Sequence, residues 1–272
     1  MKVTLYKGVV IMKKRFIYFT LLFSCVIFIL SGCSLLDFGG LFGGATGTVS
    51  GTVTNATNGQ PITGATVKSG DISATTDADG KYVLNKVPTS NTTIQASKSG
   101  YIALSYSLSL AENEQKVVNF ALSPALSANE AFRIVLTWGE NPRDLDSHLL
   151  VPTSDTNGNQ GYHIYFSYKG INDSEQYPYA YLDIDDTSSF GPETVTIYRR
   201  LTQTYKYYVH HYAGSGQLNT SSAVVSVYNQ NGLVKTYNVP SSGSGIYWYV
   251  FDINANGQIV DRNVIQENAP TL

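Results

Sequence analysis

The sequence predicts an all-β protein, and three of its features lead to that prediction. The 272 residues include 24 Gly and 20 Tyr, whereas charged residues make up 14%, against roughly 25% in typical soluble domains. Beyond residue 46, no long stretch repeats apolar residues at helical spacing. Short alternating segments are instead separated by turn pairs such as Asn58-Gly59 and Asn256-Gly257. The length is sufficient for two modest domains.

The N-terminus has the pattern of an export signal. Lys13-Lys14-Arg15 precede an apolar run, Phe16 to Leu30, that is short for a membrane span, and Met12 is the expected start. The run ends in Leu30-Ser31-Gly32-Cys33, which resembles the lipobox of bacterial lipoproteins. A plain membrane anchor and an ordinary secretory signal are the alternatives.

The lipobox resemblance implies a signal peptide at residues 1–32 and a lipidated Cys33 as the first mature residue. Residues 33–46 then form a Gly-rich tether. Several acyl chains would attach the protein stably to a membrane. Ser34 follows the cysteine, and this implies the outer membrane, with the periplasmic or surface orientation left open.

Charge and cysteine usage narrow the function classes. Five of the 18 basic residues precede Cys33, so 13 basic and 20 acidic residues remain, a net charge of −7. An acidic surface argues against nucleic acid as a partner. The two cysteines, Cys25 and Cys33, both precede the globular part, so the folded domains contain no disulfide.

The first predicted domain carries an ordered set of short runs. They are V-x-G-x-V from Val49, P-I-T-G-A-T-V from Pro61, T-D-A-D-G-K-Y-V-L from Thr76, Val87-Pro88 and Gly100-Tyr101. This set resembles the carboxypeptidase regulatory-like (transthyretin-like) family over residues 47–123. The resemblance implies a seven-stranded β-sandwich that serves as an accessory module without peptidase activity.

Two Asp/Asn-Gly runs are similar to parts of calcium-binding loops. Asp77-x-Asp79-Gly80 lacks a closing Glu, since Lys86 occupies that position. The run from Asp252 to Ile259 has Asn263 where the closing Glu would stand. Both runs have strand-like flanks, so we interpret them as β-turns whose polar side chains hold the backbone.

The second predicted domain begins after the joint Ser123–Ser127 and centres on Trp138 to Leu150, W-G-E-N-P-R-D-L-D-S-H-L-L. Along the predicted strand, Asp144, Asp146 and His148 share one face. Stacked carboxylates repel each other unless a cation, an Arg or water offsets their charge.

A second acidic run, L-D-I-D-D-T from Leu182, is followed by G-P-E-T-V-T-I from Gly191. Together with the Trp138 segment, these runs resemble a YfaP-type family of exported bacterial domains without an established function. The resemblance covers residues 131–265 and leaves 266–272 as a tail. With the first resemblance, it implies two consecutive β-sandwich domains after the tether.

Two interpretations of the acidic residues remain open. The first is a calcium site, because hard cations prefer six to eight oxygen ligands. Its candidate ligands are Asp144, Asp146, Asp183, Asp185, Asp186 and Glu193. In the second interpretation, these residues cap turns or pair with Arg143, Arg199 and Arg200.

Histidine and tyrosine suggest further roles. His148 is a possible ligand, but imidazole suits transition metals better than calcium, and a strand-face His satisfied by a neighbouring Asp is the alternative. His210 and His211 are adjacent on a predicted strand, so they point to opposite faces and do not chelate together. Fifteen tyrosines between Tyr162 and Tyr249 either stack on sugars or fill the sheets.

Three functions remain from the sequence. No known catalytic motif is found, which favours a non-catalytic, lipid-anchored envelope module with a structural or partner-binding role, which calcium would stabilise if the acidic residues bind it. A carbohydrate-binding lipoprotein is the first alternative. A hydrolase that uses the acidic cluster is the second.

Overall fold

The computed structural model describes residues 44–153 and 161–272. Within these ranges the chain forms eighteen β-strands and one short 3₁₀ helix, Leu218–Thr220, which confirms the predicted all-β class of sandwich domains. Helices long and apolar enough to cross a membrane are not found in these ranges. The predicted export signal, Cys33 and most of the tether lie outside the described residues.

The first sandwich consists of two sheets. Its strands are β1 (Thr46–Asn55), β2 (Thr66–Ser69), β3 (Ile72–Thr75), β4 (Lys81–Pro88), β5 (Thr92–Ser97), β6 (Leu104–Leu108), β7 (Gln115–Val117) and β8 (Phe120–Leu122). One sheet has the order β3-β2-β5-β6, and in the other β1 lies between β4 and the pair β7 and β8. The alternation of β4 and β5 directs every second side chain into the core between the sheets.

Strands β7 and β8 occupy a single strand position beside β1. Both run parallel to β1, one along Thr48–Ser50 and the other along Val53–Asn55. Between them, Asn119 Oδ1 accepts a hydrogen bond from the Thr52 amide at 3.0 Å. The eight strands therefore fill seven positions.

The second sandwich also has two sheets, of five strands each. Its strands are β9 (Phe132–Thr137), β10 (Asp144–Val151), β11 (Tyr162–Ile164), β12 (Ala180–Ile184), β13 (Glu193–Ile197), β14 (Tyr205–Ala213), β15 (Val224–Asn229), β16 (Gly232–Asn238), β17 (Tyr247–Ile253) and β18 (Ile259–Gln266). The β10 sheet has the order β11-β10-β14-β17-β18, and the β9 sheet has the order β12-β13-β9-β15-β16. Trp248, Tyr205, Tyr207 and Phe251 are fully buried between them.

The joint between the sandwiches is packed and hydrogen-bonded. Ala56 and Ala121 form a small buried cluster with Val135 and Tyr228. Arg133 is 4% exposed, and its guanidinium donates to Ser123 Oγ and the Pro124 carbonyl, besides its ion pair with Glu130. Thr194 Oγ1 donates to the Ala56 carbonyl. The first sandwich thus covers the central part of the outer face of the β9 sheet.

Both loops that are similar to parts of calcium-binding loops are hydrogen-bonded turns. Asp77 Oδ1 accepts from the amides of Asp79 and Lys81, at 3.0 and 2.8 Å. Asn254 Oδ1 accepts from the amides of Asn256 and Gln258, both at 3.0 Å. Their side-chain oxygens are used by the backbone, in agreement with the turn interpretation.

Candidate metal centre

Two loops of the second sandwich are tied together at its edge. The first, Trp138–Arg143, follows β9, and the second, Asp186–Gly191, precedes β13. The Trp138 and Phe190 amides donate to the Phe190 and Gly139 carbonyls, both at 3.2 Å, and the Ser189 amide donates to the Arg143 carbonyl at 2.8 Å. These bonds bring the residues after β12 against the start of β10.

Two glycines allow the close approaches at this edge. Gly191 has a φ of +74°, and a Cβ there would lie 2.8 Å from the Trp138 ring. Gly214 has a φ of +105°, and its Cβ would lie 2.5 Å from the Arg143 amide nitrogen. The neighbouring pairing of β10 with β14 shifts register between Asp144 and Leu145, so a bulge orients Asp144 at the strand start.

Four carboxylates converge beside the unpaired part of β10, in what we call the acidic cluster. Asp146, Asp185 and Glu193 each place an oxygen within 4.8 Å of the other two. Asp144 adds a fourth negative charge, which raises the pKa of Asp146. Strand β11 pairs with Leu149–Val151 and does not extend to Ser147. The Ser147 amide therefore donates its hydrogen bond to Glu193 Oε2. Glu193 reaches it from the first residue of β13.

Each carboxylate of the acidic cluster has one buried oxygen without a hydrogen-bond partner. These atoms are Asp144 Oδ1, Asp146 Oδ2, Asp185 Oδ1 and Glu193 Oε1. Asp144 Oδ2 lies 3.9 Å from the Arg143 guanidinium, and Asp185 Oδ2 lies 3.2 Å from Lys169 Nζ. Buried polar atoms are almost always satisfied in native proteins, so four such orphans at one place set this cluster apart from ordinary buried carboxylates.

Burial and mutual repulsion raise the pKa of three of these acids, Asp144, Asp146 and Glu193. Burial raises the pKa of Asp146 to about 7, with added contributions from Asp144 and Asp185. Burial also raises the pKa of Glu193 well above its usual range, although the Ser147 amide opposes the shift. The pKa of Asp144 is raised by burial, and Arg143 opposes that rise. A bound cation would reverse this tendency.

Two of the six predicted ligands have other partners. Asp183 lies apart from the acidic cluster, because the pairing of β12 with β13 shifts register between Leu182 and Ile184. Its carboxylate accepts a hydrogen bond from Thr196 Oγ1 at 2.6 Å. Asp186 accepts from the Ser188 amide at 2.7 Å, so it caps a turn beside the cluster. Asp183 therefore lies outside the acidic cluster, whereas the sequence had grouped it with the other five candidate ligands.

The three arginines of the alternative interpretation contribute little to charge balance. Arg199 lies over the Tyr179 ring at 3.7 Å. Arg200 donates to the carbonyls of Leu201 and Ala255. Only Arg143 approaches the acidic cluster, and its side chain is 62% exposed. Arginine pairing thus leaves most of the negative charge unbalanced.

A group of imidazole and phenol rings adjoins the acidic cluster on the outer face of the β10 sheet. His148 Nδ1 lies 2.8 Å from His163 Nε2, and the His148 ring stacks on Tyr208 and Tyr165. His210 Nδ1 lies 3.9 Å from Asp146 Oδ2. Burial lowers the pKa of His148 to about 2, and burial also lowers the pKa of His163 and His210.

An exposed aromatic patch continues from these rings. It consists of Tyr165, Phe166, Tyr168 and Tyr212, of which Tyr168 is 60% and Tyr212 is 53% exposed. The rings meet at steep angles, 50° between Tyr165 and Tyr168 and 64° between Phe166 and Tyr212. The patch is therefore exposed but not coplanar.

Sequence reasoning missed two residues that matter at this edge. Lys169 pairs with Asp185, and His163 holds the His148 ring. His163 lies in the short strand β11, whereas Lys169 lies in the loop between β11 and β12, where its carbonyl accepts a hydrogen bond from the Leu182 amide. The segment Tyr162–Ile164 is compatible with a strand, but its sequence does not indicate that it pairs with β10 or that His163 contacts His148.

Comparison with protein-family models identifies the first sandwich. Residues 48–123 match the model of the carboxypeptidase regulatory-like domain, which confirms that resemblance. Among solved structures, a homologue of the telluride resistance protein TerD from Streptomyces coelicolor A3(2) is 17% identical. The match covers 52% of this chain and 92% of the other, with a TM-score of 0.38.

Two further structural matches are weaker. A mutant type II cohesin–X-dockerin complex from Acetivibrio cellulolyticus is 19% identical over 29% of this chain, with a TM-score of 0.24. A candidate carbohydrate-binding protein from Bacteroides uniformis is 11% identical over 72% of this chain and 100% of its own, also with a TM-score of 0.24. The chain spans 58% and 65% of two such cohesin–X-dockerin matches.

Proposed function

We propose that this chain is a non-catalytic, lipid-anchored module of the bacterial outer membrane, whose second sandwich is completed by Ca²⁺. Cys33 would carry the lipid, and a protein of the envelope would be the partner. The second sandwich would be a member of the YfaP-type family. The four orphaned oxygens of the acidic cluster are the observation that carries the calcium part of the proposal.

An ion at the acidic cluster would remove two unfavourable features, the unpaired buried oxygens and the crowding of acidic groups. It would give each orphaned oxygen of Asp144, Asp146, Asp185 and Glu193 a partner. Its positive charge would also favour the ionised carboxylates, beyond what Arg143 and Lys169 contribute. The donor set consists of carboxylate oxygens, the ligands that Ca²⁺ prefers. Asp185 is the most accessible of the four, with a side chain that is 20% exposed, so it offers a route of entry.

Burial favours a structural ion over a catalytic pair of acids. Asp146 is 2% and Glu193 is 1% exposed, so a substrate has little access to their carboxylates. A general acid and its partner must reach both sides of a scissile bond. The cluster oxygens instead face each other within 4.8 Å. These contacts support a stabilising role over hydrolysis.

Thermal unfolding tests the calcium proposal directly. The full-length protein, purified in a mild detergent, is melted in EDTA and in millimolar calcium. Calcium at about 100 times its dissociation constant adds about 2.7 kcal/mol, which for a domain of this size raises Tm by roughly 5–10 °C. The double variant Asp144→Asn, Asp146→Asn should lose this shift.

Asp183→Asn is the matched control. Its carboxylate belongs to the same acidic run as Asp185 but lies against Thr196, so the calcium shift should be retained. A wild-type Tm that is identical in EDTA and calcium would refute the proposal. A calcium-induced Tm shift that persists in the double variant would mean that the ion binds elsewhere in the protein.

The exposed aromatic patch supports carbohydrate binding as a second candidate function. Tyr168 and Tyr212 offer ring faces that sugars stack on. Affinity electrophoresis in gels containing envelope or plant polysaccharides should then show retardation of the wild type and its loss in Tyr168→Ala with Tyr212→Ala. Equal mobility of the wild type in all gels would count against this candidate.

A further inference from the structure

We propose a second metal site, for a borderline divalent ion such as Zn²⁺ or Cu²⁺, formed by Asp146, His148 and His210. It lies on the outer face of the β10 sheet, next to the acidic cluster, and it shares only Asp146 with that cluster. Each of the three residues places a ligand atom within 4.8 Å of the other two.

The β-ladder itself produces this arrangement. Asp146 and His210 are directly opposite each other in the pairing of β10 with β14. His148 is two residues beyond Asp146 on the same strand, so its side chain is on the same face. Directly opposed side chains have Cβ atoms roughly 4.5–5.5 Å apart. Three ligands therefore meet across a regular ladder without a special loop.

His148 offers a free nitrogen in a fixed orientation. Its Nδ1 is engaged by His163 Nε2 at 2.8 Å, whereas its Nε2 is buried and has no hydrogen-bond partner. The ring lies between Tyr208 and Tyr165, with ring centroids at 4.7 and 5.4 Å. A metal-binding His typically engages its other nitrogen in this way, because that contact fixes the ring and its tautomer.

A second orphaned atom faces the same place. Asp146 Oδ2 is buried without a hydrogen-bond partner, and it lies 3.9 Å from His210 Nδ1. Ligands around a tetrahedral Zn²⁺ at about 2.0–2.2 Å are roughly 3.4 Å apart. A shift of about 0.5 Å would bring the observed distance to that value. The fourth position is left for water or a ligand.

The chemistry of the ligands distinguishes this site from the acidic cluster. Two imidazoles and one carboxylate suit Zn²⁺, Cu²⁺ and Ni²⁺, whereas carboxylates alone suit Ca²⁺. The chain has four histidines in total, and both cysteines precede residue 34. Any imidazole signal from a bound metal therefore comes from His148, His163, His210 or His211.

The test uses the full-length protein without a histidine tag, stripped with EDTA and then held in excess calcium. Zn²⁺ titration by calorimetry should show one site that calcium does not block. Cu²⁺ bound in its place should give an electron paramagnetic resonance spectrum with coupling to two nitrogens. His210→Gln should reduce that coupling to one nitrogen and weaken Zn²⁺ binding by at least about tenfold.

Matched variants separate this site from its neighbours. His211→Gln, on the adjacent position of β14, should bind both metals like the wild type, because its Nε2 faces the Gly214 carbonyl. Glu193→Gln should weaken calcium binding and leave the nitrogen coupling intact. His148→Gln should abolish metal binding at this site. If His148→Gln does not fold, His210→Gln tests the proposal, because His210 is only half-buried.

Three results would overturn the proposal. The first is a wild-type protein that binds no Zn²⁺ in excess calcium. The second is a Cu²⁺ spectrum without nitrogen coupling. The third is nitrogen coupling that persists in His210→Gln but disappears in His211→Gln. None of these depends on whether calcium binds, because calcium binding is measured separately by the Tm shift.

Discussion

Replacing Asp146 by asparagine should stabilise the calcium-free protein at pH 8, although the side chain is buried in the second sandwich. Asparagine has nearly the same shape but carries no charge. Asp146 is 2% exposed and faces the charges of Asp144 and Asp185. Removing one of several crowded charges relieves the repulsion that calcium would otherwise offset.

The size of the effect follows from the pKa of the carboxyl. A rise from 3.8 to about 7 corresponds to about 4 kcal/mol between the protonated and ionised forms. The amide keeps a polar group in the same buried place, so part of that gain is lost. We expect a net stabilisation of about 2–4 kcal/mol, or roughly 5–10 °C in Tm.

The effect should depend on pH in a defined direction. The unfolded chain loses the Asp146 proton near pH 4, whereas the folded chain keeps it until about pH 7. Between these values the folded state binds more protons, so its stability falls as the pH rises. The wild type in EDTA should therefore be more stable at pH 5 than at pH 8, and the advantage of Asp146→Asn should disappear near pH 4.

Urea unfolding in EDTA, followed at pH 4, 5, 6, 7 and 8, measures this dependence, with a parallel series in calcium at pH 8. In calcium the order should reverse, because only the wild type gains the ion. A variant that is less stable than the wild type in EDTA at pH 8 would refute the reasoning. That outcome would mean that Asp146 is needed for a hydrogen bond and not opposed by its neighbours.

Three other changes have clear expected results. Gly191→Ala should cost about 1–3 kcal/mol in urea unfolding, because its φ is +74° and a methyl group would lie 2.8 Å from an indole carbon; Gly70→Ala, at positive φ with open space, should cost less. Arg133→Ala should cost about 3–5 kcal/mol and split a single calorimetric transition into two; an unchanged single peak would contradict a role in the joint. Cys33→Ser should abolish incorporation of labelled palmitate, and labelling that persists would exclude the lipobox.

The fold was largely predictable because strand signals are local. Asn231-Gly232 and Asn256-Gly257 mark hairpins that the structure contains, between β15 and β16 and between β17 and β18. Interruptions were less predictable. The split between β7 and β8 depends on Asn119, whose side chain replaces a backbone partner from the neighbouring strand. A contact of that kind arises only after the sheet has formed.

The residue types of the candidate site were predictable from the sequence, but which of these residues come together was not. Asp144 and Asp146 share a face by simple alternation, as expected. Asp183 and Asp185 also alternate, yet a register shift at the end of β12 sends Asp183 to Thr196. His163 lies in a strand of three residues, which is too short to predict from its own sequence, and Lys169 is held by a hydrogen bond from the Leu182 amide of β12. The β-bulges and the ends of the strands determine which side chains are in contact, and neither can be read from amino-acid composition.

The packed joint has a consequence for how such chains are inherited. Arg133 and Thr194 of the second sandwich donate hydrogen bonds to Ser123 and Ala56 of the first, so each half carries polar groups that are paired across the joint. Recombination that replaced one half at residues 124–130 would remove the hydrogen bond from Arg133 to Ser123 and would expose the apolar residues of the joint to water. Gene exchange should therefore move residues 44–272 together, as one cassette.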